Sequence, residues 1–158
     1  IELHSLIEEV LTDLEPLAQE KSIELIQKSH RGGEKADEEL FLTGSDILIY
    51  RMLYNLVENA IKYNQKDGTV TVSAIKEKNE VVLTVSDTGN GIDEAFRTQI
   101  FEPFFRIDKS RSRELGGVGL GLTMVREVVR VHDGTIKVYA NKNKGTTFEV
   151  KMRLGAEK

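Results

Sequence analysis

Gly145-Thr-Thr-Phe-Glu-Val-Lys-Met-Arg-Leu154 is the stretch that decides the fold. Phe148, Val150, Met152 and Leu154 fall on one side of an extended chain, and Thr147, Glu149, Lys151 and Arg153 on the other. Successive side chains of a strand point to opposite faces, so this sheet has one buried face and one wet face. Helices therefore cover one face only. Strands of the same kind are predicted at 69–76, 80–86 and 134–140, and Ile23, Leu25 and Gln27 begin another. The expected fold class is α/β: a two-layer sandwich of a mixed, largely antiparallel sheet with helices on one face.

Working outward, Leu6, Val10, Leu14 and Leu17 recur at helical spacing and predict a helix over 6–20, capped by Ser5. Ile1 and Leu3 alternate ahead of it and read as a short opening strand. Ser45 or Asp46 caps a long helix that reaches Tyr63, and a third helix is predicted over 120–132. A short helix near 93–100 and a short strand at 40–43 complete the elements. The polar, glycine-containing segment 30–39 reads as a loop, and 105–117 as a second, long one of the kind that serves as a lid.

With 158 residues, 39% apolar and 30% charged, the chain fits one soluble domain spanning 1–158. A net charge of −4 argues against a general nucleic-acid binder, which needs a positive surplus. Cysteine is absent, which excludes disulfides and thiolate metal sites. No apolar run approaches the roughly 20 residues that span a bilayer, so direct membrane contact by this segment is not expected.

Four constellations carry chemistry. On the long helix, Asn55, Asn59, Lys62 and Tyr63 share one stripe beside the apolar stripe of Ile49, Leu53, Leu56 and Ala60. Side-chain amide oxygens suit a hard cation such as Mg²⁺, and a lysine one turn on suits phosphate. The plainer reading is a solvated helix face. The second is Asp87-Thr-Gly89-Asn-Gly91-Ile92, straight after a strand whose Val81, Leu83 and Val85 point inward. Asp87 continues that alternation, and an inward carboxylate needs a donor, such as the exocyclic amine of adenine. Taken alone, the pentapeptide is also good turn chemistry. The third, Phe101-Glu-Pro-Phe104-Phe105-Arg106, leads into Lys109, Arg111 and Arg113, cations that phosphates could order. The fourth, Gly116-Gly117-Val118-Gly119-Leu120-Gly121-Leu122, opens a helix, where backbone N–H groups and the helix dipole favour anions. It is neither a P-loop nor a dinucleotide fingerprint, because the lysine and the glycine spacing are wrong. Each motif alone is weak. The ordered set is specific, with Gly89, Gly91, Gly116, Gly117, Gly119 and Gly121 flanking the lid.

The set closely resembles the histidine-kinase branch of the GHKL ATPases, the superfamily that also holds gyrase and MutL. NLVENAIKYN resembles its N box, DTGNGI its first glycine box, FEPFFRID its F box, GGVGLGL its second glycine box and GTTF its last short box. The resemblance implies the Bergerat sandwich, with ATP and Mg²⁺ as cofactors. It implies that Asn59 coordinates Mg²⁺, with Asn55 supporting it or acting as a second ligand. Lys62 would contact phosphate, Tyr63 line the pocket and Asp87 bind the adenine amine. Arg106 would stabilise the γ-phosphate during transfer, making Arg106, Lys62 and Asn59 the catalytic candidates. Gly89, Gly91, Ile92, Gly117, Val118, Gly119, Leu120, Gly121, Leu122 and Thr146 would complete the nucleotide site. Hydrolysing members carry a glutamate where this chain has Asn55, and an amide is no general base. That points to phosphoryl transfer over hydrolysis.

The family's acceptor is a histidine on a dimerising helix. His4, His30 and His132 do not match it and read as structural or solvated. The resemblance therefore implies an acceptor on separate helices of a longer sensor protein, with a response-regulator aspartate as the next acceptor. It also implies a monomeric, cytoplasmic catalytic domain in a bacterial protein anchored in the inner membrane.

Overall fold

The computed structural model describes residues 1–28, 39–97, 99–102, 121–141 and 145–154. Among them, five strands form one sheet: β1 Glu24–Lys28, β2 Thr69–Glu77, β3 Glu80–Asp87, β4 Thr135–Ala140 and β5 Thr146–Arg153. Their order is β1-β2-β3-β5-β4. β1 runs parallel to β2, and the other neighbours are antiparallel. The predicted mixed, largely antiparallel sheet is thus observed.

Register shows why one face is dry. Val72, Val85, Phe148 and Val138 form one cross-strand row, and Ala74, Leu83, Val150 and Ile136 the next. The middle members of both rows are buried. Hydroxyls populate the opposite face, where Ser86 Oγ and Thr147 Oγ1 lie 2.8 Å apart. That pairing lets Thr147 be buried on the face without helices, because a hydroxyl out of water needs a partner.

Among the described residues three helices cover the dry face: α1 Leu3–Glu20, α2 Asp46–Lys62 and α3 Gly121–Val131. α2 packs between α1 and α3 and over β2 and β3. Its buried Ile49, Met52, Leu53, Leu56, Val57, Ala60 and Ile61 seat it on the sheet. Each large apolar side chain so placed contributes about 1.5–3 kcal/mol, so α2 is a rigid support for whatever its other stripe carries. Ser45 caps it, its Oγ accepting from Leu48 N at 3.2 Å, as the sequence predicts.

Four expectations are corrected. No strand opens the chain: the helix begins at Leu3, because Leu3, Leu6, Ile7, Val10 and Leu14 are buried at helical spacing. Its cap is Glu2, not Ser5. Glu2 accepts from the backbone N–H groups of His4, Ser5 and Leu40 at 3.0–3.1 Å. Ser5 lies inside the first turn, and His4 is helical, its Nε2 donating to Ala74 O at 3.3 Å. Segment 40–43 forms only isolated bridges, Glu2↔Phe41 and Leu42↔Leu154. The helix near 93–100 resolves into two 3-10 turns, Glu94–Phe96 and Gln99–Phe101. Leu120, the predicted start of the third helix, lies outside the described residues, as does the 105–117 segment and all of 30–39 except Glu39.

His132 is structural. Ser45 N–H donates to its Nε2 at 3.2 Å, so that nitrogen is an acceptor, and Nδ1–H donates to Val128 O at 2.7 Å. The ring thereby ties the end of α3 to the cap of α2. His30 lies outside the described residues.

Candidate functional site

β3 ends at Asp87, which pairs in register with Val70 and so stays on the helix-facing side of the sheet. Its Oδ1 accepts from Gly89 N at 2.9 Å and from Thr146 N at 3.1 Å. Among the described residues Oδ2 has no hydrogen-bond partner. Burial pushes the carboxyl above its usual pKa, and the two backbone N–H groups oppose that shift. A half-buried carboxylate with one oxygen saturated and one open is a directional acceptor waiting for a donor.

The polar stripe of α2 lies partly buried. Asn55 Nδ2 donates to Arg51 O at 2.8 Å, and its Oδ1 stands where a Cβ on Gly121 would come within 2.8 Å. The N-terminus of α3 therefore abuts Asn55. The Asn59 side-chain amide has no partner among the described residues. Lys62 Nζ rests 3.6 Å from Glu58 Oε1, an i,i+4 pair. Such a partly exposed pair contributes only a few tenths of a kcal/mol, so a phosphate could draw the lysine away. Tyr63, the residue after α2, is 40% exposed.

Gly89 joins α2 to the turn after β3: a Cβ there would come within 2.7 Å of Tyr63 O. Gly91 has a φ of 77°, the left-handed region that glycine enters without strain. Ile92 is partly buried against the core. Phe101 is buried and meets Phe148 edge-on, ring centroids 6.2 Å apart. Thr123 Oγ1, in the first turn of α3, donates to Phe101 O at 2.7 Å, and Leu122 packs partly buried on the core. The structure thus brings Asp87, Gly89, Tyr63 and Thr146 together, and Asn55 with Gly121. Arg106, Gly117, Val118, Gly119 and Leu120 lie outside the described residues.

Sequence reasoning missed the polar network that holds Asp87. Thr88 Oγ1 donates to Asn64 Oδ1 at 3.1 Å and accepts from Thr69 N at 2.9 Å. Asn64 Nδ2 donates to Thr69 O at 2.9 Å, and Gln65 Nε2 to Thr88 O at 2.8 Å. On the other side, Asn141 Nδ2 donates to Asp87 O at 2.7 Å. The one visible signal was the spacing of Asn141 and Gly145 across a strand connection, where an Asn side chain commonly bonds nearby backbone.

These features fit a purine nucleotide: an open acceptor for an exocyclic amine, and a free amide on the neighbouring helix for a cation. No cluster of three or more His, Cys, Asp or Glu side chains that could cage a metal is present among the described residues. Mg²⁺, which keeps waters and phosphate oxygens as ligands, needs no such cage.

Comparison with known proteins agrees. The family described as "Histidine kinase-, DNA gyrase B-, and HSP90-like ATPase" matches residues 44–156. The sensor protein CiaH of Streptococcus pneumoniae is 39% identical over 108 residues, 68% of this chain and 24% of that protein. The sensor histidine kinase RppB of Synechocystis sp. is 32% identical over 146 residues, 91% of this chain and 32% of that protein. The chain thus spans about a quarter to a third of the length of these relatives. Among solved structures, the catalytic domain of histidine kinase ThkA superposes with a TM-score of 0.80 at 26% identity, covering 97% of this chain and 95% of that one. Full-length ShkA in complex with AMPPNP shares the fold, with a TM-score of 0.82 at 23% identity, covering 99% of this chain and 31% of that one. The chain belongs to the histidine kinase-, gyrase B- and HSP90-like ATPase family, within it to the ATP-binding catalytic domains of two-component sensor histidine kinases.

Proposed function

We propose that the chain is one ATP-binding domain of a longer sensor protein, and that it donates the γ-phosphoryl group of Mg-ATP to a histidine on separate dimerising helices. The observation that carries the reading is the Asp87 carboxylate, held through Oδ1 and, among the described residues, open at Oδ2, in a turn whose Gly89 abuts the end of α2 at Tyr63. Asp87 fixes the base and Tyr63 lies along it. Gly91, Ile92, Leu122 and Thr146 shape the walls. Asn59, supported by Asn55, would hold Mg²⁺, which supplies charge neutralisation on the phosphate chain. Lys62, Arg106 and the backbone of Gly117, Val118, Gly119, Leu120 and Gly121 would draw further charge from the phosphates. Phosphoryl transfer needs positioning and charge neutralisation above all. Asn55, an amide rather than a general base, favours transfer to a histidine over hydrolysis.

A response-regulator aspartate would then accept the group. ThkA, which shares this fold, has been crystallised with the response regulator protein TrrA. No helix among the described residues is long and apolar enough to cross a membrane. We place the domain on the cytoplasmic side of a membrane-anchored parent. The test is to mix the chain with a dimerising-helix fragment of a related kinase and ATP labelled at the γ position. Label on the fragment's histidine is the expected result, lost with Arg106→Ala while nucleotide binding persists. Tight binding without transfer, or steady phosphate release by the chain alone, would overturn it.

A further inference from the structure

We propose that Asn141 is a positioning residue for purine recognition, acting by fixing the main chain from which Asp87 reaches the base. The inference rests on the reading of Asp87 as the group that meets the purine 6-amino function. The β3–β5 ladder ends at Ser86↔Thr147, so the Asp87 carbonyl lies beyond the last pair. Asn141 supplies the missing donor, Nδ2 to Asp87 O at 2.7 Å. The same side chain accepts from Gly145 N through Oδ1 at 3.0 Å, and the Asn141 backbone N–H donates to Gly145 O at 3.1 Å. A weaker contact runs from Nδ2 to Thr146 O at 3.4 Å.

One amide therefore holds both parts on which the carboxylate depends. It grips the Asp87 backbone directly. Its Oδ1 also holds the N–H of Gly145, the residue joined to Thr146, whose own N–H donates to Asp87 Oδ1 at 3.1 Å. Together with the bond from Gly89 N to Oδ1, these constraints set the direction of Oδ2, and a hydrogen bond to a ligand weakens steeply once its angle degrades. A residue that merely closed the β4–β5 connection would bond Gly145 and leave Asp87 alone. Asn141 does both.

The experiment compares two ligands in the 158-residue chain: Mg-ATP, and the Mg complex of purine riboside triphosphate, which lacks the 6-amino group. Wild type is expected to prefer ATP by about tenfold or more, the worth of one good hydrogen bond to a charged group. Asn141→Ala is expected to lose about tenfold in ATP affinity with the analogue unchanged, so the preference collapses. Its effect should vanish in an Asp87→Asn background, since the two act through one contact. Equal losses for both ligands, or a retained preference, would overturn the proposal and leave Asp87 standing. A wild type with no preference would remove the Asp87 reading and this inference with it. If Asn141→Ala fails to fold, Asn141→Ser, which keeps an acceptor for Gly145 N, gives the same comparison.

Discussion

Asp87→Asn is expected to weaken Mg-ATP binding about a hundredfold, roughly 3 kcal/mol, while leaving the fold at least as stable. The substitution is isosteric, so the geometry dictates what the amide must do. Gly89 N and Thr146 N both donate to Oδ1. An asparagine must keep its oxygen there, or leave two N–H groups facing an NH₂. Its NH₂ then occupies the place of Oδ2 and meets the adenine amine donor to donor. Binding is lost by repulsion as well as by absence. Stability moves the other way, because a half-buried charge has been replaced by a neutral group with the same backbone bonds.

The pH dependence of wild type follows from the same carboxyl. Burial raises its folded-state pKa above the unfolded value. Its protonated form therefore favours the folded state, and that contribution disappears as pH rises through the raised pKa. Nucleotide binding needs the ionised form, so affinity falls as pH drops through the same pKa. Binding should release protons near it, a quantity calorimetry reads in buffers of different ionisation enthalpy. Asp87→Asn should abolish that release.

Gly145→Ala is expected to be the most damaging single methyl in the described chain, costing about 3 kcal/mol or more in urea unfolding. A Cβ at that position would stand 1.9 Å from Asp87 O and 2.7 Å from the Asp87 carbonyl carbon. Both are backbone atoms at the end of β3, paired with Val70 of β2 and held at the carbonyl by Asn141 Nδ2, so neither can move without loosening those contacts. Gly121→Ala is the contrast: among the described residues its Cβ would meet only the tip of the Asn55 side chain at 2.8 Å. Asn55 can swing away, so the fold should hold while the site is disturbed. Equal stability of the two variants would show that the end of β3 yields at Asp87.

The sheet was legible because β5 alternates over its full length, and a one-residue slip would bury Glu149 and Lys151 in place of Val150 and Met152. α2 was legible from a Ser cap and continuous apolar spacing. The opening of α1 was not: Ile1 and Leu3 alternate over too few residues to distinguish two periods, and Glu2 is outside the usual cap residues. In the site, Asp87 could be placed by extending the β3 alternation. Its supports could not, because Thr88, Asn64 and Asn141 act through contacts between segments 19 to 54 residues apart. The Thr88 hydroxyl bridges Asn64 and Thr69. Apart from the spacing of Asn141 and Gly145, no rule within one segment carries such information.

The most direct measurement is a crystal structure of the chain with ADP and magnesium. The adenine amine should lie within hydrogen-bond distance of Asp87 Oδ2, and the Asn59 side-chain oxygen should coordinate the metal. A nucleotide bound elsewhere, or bound with either side chain out of contact, would contradict the account.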